Sequence, residues 1–230
     1  MDITVIAIIF GIIVALVHFS SDKIHKYKRY KNEIMSLAAG ISLAYLLLFL
    51  LPELYRGVET IQKLLFVFVL IGALSFHLVE KYIYQHSKKN KIIEEISVFH
   101  SLSFFVYHFV IGVVLVNLLQ TNILTGTLFL LPILSYIAVG QVSLKEIHAK
   151  VTEKLAVKVL LSFSTLIGII EAIFLPLPTK VFYSLLGFIG GAMLYHVMRE
   201  NIPAENGGDG LWFLLGAFLY TLLIMFIWSI

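Results

Sequence analysis

ISVFHSLSFFVYHFVIGVVLVNLL, residues Ile96–Leu119, runs for 24 residues without an Asp, Glu, Lys or Arg. A bilayer core about 30 Å thick needs roughly 20 mostly apolar helical residues to cross it. Lipid admits only helices and closed barrels, because every backbone polar group must find its partner internally. The stretch has none of the period-2 alternation of a barrel strand, so it reads as a transmembrane helix. Seven further runs read the same way: Ile3–Phe19, Ile34–Leu51, Leu64–Val79, Ile123–Leu144, Val159–Leu175, Val181–Met198 and Leu211–Ile230. Of these only Val159–Leu175 is interrupted by a charge, Glu171. The first run lacks the basic leader and small-residue cleavage site of a signal peptide and is kept as a mature span. The expectation is an all-α integral membrane protein with eight transmembrane helices.

Composition agrees. Of the 230 residues, 60% are hydrophobic and 13% charged, against about 25% charged in an average soluble domain. No soluble core of this size buries so much apolar surface, which argues against a water-soluble enzyme. The net charge of +3 is too mild and scattered for a nucleic-acid protein. With no cysteine there is no disulfide framework or thiolate metal site. The longest polar connection, Glu80–Glu95, is too short to fold alone, so residues 1–230 read as a single transmembrane domain. The stretch Asn206-Gly207-Gly208-Asp209-Gly210 reads as a flexible turn.

Basic residues set the orientation, because cytoplasmic connections carry the excess of Lys and Arg. Of 17 Lys and Arg, 14 fall in alternate connections: five in 20–33, four in 80–95, four in 145–158 and one in 199–210. The two tails and the other connections hold 3. This asymmetry places both termini outside the cytoplasm of a cell membrane, with the basic loop Lys23–Lys31 facing anionic headgroups.

Ionisable side chains inside a span are expensive and mark functional sites. Helix 4 of the eight carries His100, Tyr107 and His108, and residue 100 lies two turns from 107 or 108 on one face. Helix 5 ends in Gln141, Ser143, Lys145, Glu146 and His148, and helix 6 holds the isolated Glu171. His77/Glu80 and His196/Glu200 have helical spacing for a ligand pair, but their place near helix ends reads as interfacial, as do His18, His25 and His86. The glycines 187, 190 and 191, with Ala192, read as a close-packing patch.

Three features resemble the ZIP (Zrt/Irt-like) family of divalent-metal transporters. Ala38-Ala39-Gly40-Ile41-Ser42-Leu43-Ala44 with Leu50-Leu51-Pro52-Glu53 is similar to the family's second helix. Gly190-Gly191-Ala192-Met193-Leu194-Tyr195 through Glu200, Ile202, Pro203 and Glu205 is similar to its seventh. The eight-span plan with extracytosolic ends is the third. The family's metal motif in helix 4 is departed from in Tyr107-His108-Phe109-Val110-Ile111-Gly112, where Ile111 stands in place of a carboxylate. In helix 5 the preferred register begins at Gln141 and puts Lys145 at a ligand position, and a protonated lysine cannot ligate zinc. The resemblance implies a ZIP-like bundle that transports a divalent cation such as Zn2+, or another small solute, through a rebuilt site. His108, Gln141 and Glu171 are the metal ligands expected there. His100, Tyr107, Ser143, Lys145 and Glu146 are expected to line the path.

The alternative is a non-transporting binding or assembly subunit in which Lys145 replaces the metal charge and pairs with Glu171. An intramembrane metallohydrolase would need three converging ligands, and no HExxH motif occurs. The expected partners are the lipid bilayer, a divalent cation and a second copy of the chain; nucleic acid is not expected. No bound cofactor is assigned with certainty.

Overall fold

The computed structural model describes residues 2–24, 31–86, 91–148, 155–198 and 208–229. Within these, the side chains of 21–24, 31, 80, 92–94, 96–97, 100, 136 and 138–148 are not described. The described residues form eight helices and no strand. They are α1 (Ile3–Ile24), α2 (Lys31–Tyr45, continued through Leu46–Leu50 and Leu51–Ile61), α3 (Leu64–His86), α4 (Ile92–Thr121), α5 (Ile123–His148), α6 (Leu155–Phe174), α7 (Thr179–His196) and α8 (Gly210–Trp228). Each expected span coincides with one helix. Several helices outrun their charge-free core, because a helix continues into polar residues once its apolar part is anchored.

Six of the eight are long and apolar enough to cross a membrane, which makes the chain a multi-pass membrane protein. Their outward faces are apolar, as at Leu214, Phe218 and Phe226 on α8, so lipid is the solvent for that surface. The shortest connections are built by single residues. Asn122 ends α4 with its N–H on the Leu118 carbonyl and opens α5 by accepting from the Leu124 N–H at 2.8 Å. Gln62 ends α2 at φ 55.

α2 is not a regular α-helix throughout. At Leu46–Leu50 it widens to a π turn, with the Leu51 N–H bonded to the Leu46 carbonyl five residues back. Pro52 follows at the start of the upper segment and explains the widening. Proline has no N–H, and its ring collides with the carbonyl four residues earlier in an α-helix, a clash that the wider turn relieves. Proline recurs inside α5 as Pro132, whose missing N–H would have served the carbonyl of Leu128. There the Tyr220 hydroxyl of α8 donates to that same carbonyl at 2.6 Å.

Three helix pairs run parallel at very short range. In α4/α6, Gly112 meets the carbonyl of Thr165, and Gly168 meets that of Phe109, so a Cβ on either would overlap backbone. Gly72 and Gly191 do the same for α3/α7, and Gly40 and Gly216 for α2/α8. Without a hydrophobic driving force between helices in lipid, such close backbone packing is what holds a pair together. The pairs assemble into two groups, α1, α4, α5 and α6 on one side and α2, α3, α7 and α8 on the other. The groups meet where α4 touches α3 and α7, and where α2 touches α5. The core follows this seam, with Tyr45, Ile111, Leu115, Phe129 and Ile189 all buried.

Candidate functional site

His108 sits on α4 at the seam and is 1% exposed. Its Nδ1 lies 3.0 Å from the Phe104 carbonyl one turn back, an acceptor only, so the ring proton is on Nδ1 and is donated there. Nε2 is then left with its lone pair, and that atom is buried with no hydrogen-bond partner. One ring nitrogen is thus fixed by a backbone carbonyl, which leaves the other with a free lone pair.

Other rings collect around it. His108 stacks on Phe104 at 3.6 Å between centroids, and Phe104 lies 4.6 Å from the His18 ring of α1. Tyr107 turns an edge to His108 at 5.3 Å and lies 5.7 Å from His196 of α7. Phe76 of α3 approaches His196 at 4.7 Å. Three helices thus bring three buried imidazoles to one level of the bundle. His18, expected at the interface, is buried: its Nδ1 is 2.7 Å from the Ser162 hydroxyl, which donates in turn to the Lys158 carbonyl at 2.8 Å. His196, also expected at the interface, is buried as well. His77 and His86 are exposed, as an interfacial reading requires.

A second polar element lies on α2. Tyr45 is fully buried, its ring 6.3 Å from Phe129 and 6.2 Å from Tyr220. Its hydroxyl has no hydrogen-bond partner, nor has the buried Ser42 hydroxyl one turn earlier. Glu53 is also buried and accepts from Arg56 at 2.9 Å, with the guanidinium largely exposed. Sequence reading did not single out Tyr45. The available signal was its helical spacing from Ser42 and its place before the Leu50-Leu51-Pro52-Glu53 motif.

Of the expected site residues, Tyr107 and His108 stand together on α4. The side chains of His100, Gln141, Ser143, Lys145, Glu146 and His148 lie outside the described residues, as do those of His25, Glu80 and Glu200. Glu171 is half-buried on α6, with its Oε2 buried and without a hydrogen-bond partner. The α4/α6 register levels 109–112 with 165–169, and His18 touches both Phe104 and Ser162 lower down, so the two helices rise together. At 1.5 Å per residue, Glu171 then stands about 10 Å along the axis from His108. The same rise carries the α5 backbone about 28 Å from Gly126, which packs on Leu119, down to Lys145. Glu171 lies near the Leu119 end, and the expected Lys145–Glu171 pair falls on a side chain outside the described residues. Among the described residues, no three His, Asp or Glu side chains gather closely enough to hold a metal ion.

No protein-family model matches the chain, and the search of curated proteins returned no match.

Proposed function

We propose that the chain is a transporter of a small cation, with a divalent zinc-like ion as the best candidate, and that His108 is the contact made within the bundle. The observation that carries this reading is the buried, unpartnered Nε2 of His108, held by the Nδ1 bond to Phe104. A buried nitrogen lone pair without a donor is unfavourable in a low-dielectric interior unless something uses it. An intramembrane ionisable residue facing the bundle is a functional group by default.

The resemblance to the ZIP family supports the cation, and Tyr107, His18 and His196 supply a polar surround for it. The reading includes both termini outside the cytoplasm, supported by the asymmetry of basic residues. It is tested by the metal content of the purified protein, dialysed with and without added zinc. The expected result is zinc retained by the parent chain and lost from His108→Ala. Zinc retained equally by both would remove His108 from the site, and none retained by either would favour a non-transporting subunit.

A further inference from the structure

α2 is clamped at two places by two different helices. Below the π turn, Gly40 sits against the α8 backbone at Phe213 and Ala217, and the Asp209 N–H at the start of α8 donates to the Ser36 hydroxyl at 2.9 Å. Above it, Gly57 lies against the Tyr183 ring of α7, and Leu54 fills the space over Gly190. The π turn at Leu46–Leu50 is the irregular segment between the clamps. The turn just below it carries two buried hydroxyls without partners, Ser42 Oγ and Tyr45 Oη.

A π turn is one residue inserted into an α-helix, and it can move along the helix by exchanging one hydrogen bond at a time. Because the clamps hold both ends, only the residues between the old and new positions change register. Upward movement is blocked by Pro52, which has no N–H to exchange. Residues 31–51 contain no proline, so every N–H that downward movement must exchange is present.

We propose that the π turn of α2 shifts one turn toward Gly40 and that this shift is a built-in switch for the centre of the bundle. Each residue of the Ser42–Leu46 turn then takes the place its predecessor holds, a rotation of roughly 100° with a 1.5 Å translation. Tyr45 moves into the place of Ala44, Leu46 enters the slot between Phe129 and Tyr220, and Ser42 moves into the half-buried place of Ile41. Both unpartnered hydroxyls leave their present sites, and a leucine replaces the tyrosine beside Phe129 and Tyr220. Pro52 biases the helix toward the observed register, since regular α geometry there restores its clash with the Leu48 carbonyl.

The switch is independent of what the protein carries and is read directly by crosslinking, because the chain has no cysteine of its own. The pair Leu46→Cys with Phe129→Cys reports the shifted register, and Tyr45→Cys with Phe129→Cys the observed one. Each is treated with a short thiol-to-thiol crosslinker on the full chain in lipid nanodiscs, with Pro52 present or replaced by Ala. Relative to Pro52, alanine should raise the Leu46 yield severalfold and lower the Tyr45 yield. Yields that do not respond to residue 52, or a Leu46 pair that never crosslinks, would overturn the switch. Pro52→Gly also removes the clash and serves as the second background should Pro52→Ala fail to fold.

Discussion

The bond from Tyr220 to the Leu128 carbonyl is the most quantitative claim the fold makes, because its cause is a proline on the acceptor's own helix. Pro132 cannot serve that carbonyl, and Tyr220 does so from α8 at 2.6 Å in a buried setting. Hydrogen bonds between membrane helices average about 0.6 kcal/mol and reach about 1.7 in double-mutant cycles. A buried acceptor left with no partner costs about 1–3 kcal/mol. Tyr220→Phe keeps the ring and removes only the hydroxyl, so its cost should be about 1–2 kcal/mol, set by the stranded carbonyl. Pro132→Ala restores an N–H four residues along, and in that background the cost of Tyr220→Phe should fall below about 0.5 kcal/mol, because the helix supplies its own donor. The four proteins of the cycle are compared by reversible unfolding in mixed micelles, with thermal melting as a second readout. If Tyr220→Phe costs the same in the parent and in the Pro132→Ala background, the proline does not create the need for the tyrosine and the explanation fails.

Three further outcomes follow from the same structure. Gly112→Ala places a Cβ against the Thr165 carbonyl, a backbone atom that cannot turn aside, and should cost at least the 1–3 kcal/mol typical of overpacking, seen as a lower melting temperature. Tyr45→Phe removes a fully buried hydroxyl without a partner while keeping the ring contacts, so the variant should be more stable by about 1 kcal/mol in the same unfolding assay. Tags appended at Met1 and Ile230 should be accessible from outside intact cells, and single cysteines at Lys28 and Lys89 should react with an impermeant thiol reagent only after permeabilisation; termini found on opposite faces would overturn the orientation.

The number and position of the helices were legible in the sequence because membrane length and apolarity act locally, residue by residue. Helix pairing was legible only in part. The glycines of α7 could be seen as a packing patch, and Gly191 does meet the Val69 carbonyl of α3. Its counterpart Gly72, like Gly40, Gly168 and Gly216, has meaning only once the partner helix is known. The π turn had a sequence sign in Pro52, but a proline reports a disturbance and not whether the helix kinks or widens. In the site, Tyr107 and His108 emerged from polarity within an apolar run. His18 did not, because a histidine near the end of a span looks the same whether it faces headgroups or Ser162. The register between α4, α5 and α6, which separates Glu171 from His108 along the bundle, depends on contacts between helices that no single run of residues contains.

Passage of a divalent ion past His108 is decided by zinc entry into proteoliposomes loaded with a zinc-responsive dye, comparing the parent chain, His108→Ala and protein-free vesicles. Entry should be well above the protein-free rate for the parent and close to that rate for His108→Ala. A parent chain no faster than empty vesicles, or a variant as fast as the parent, would contradict transport through this site.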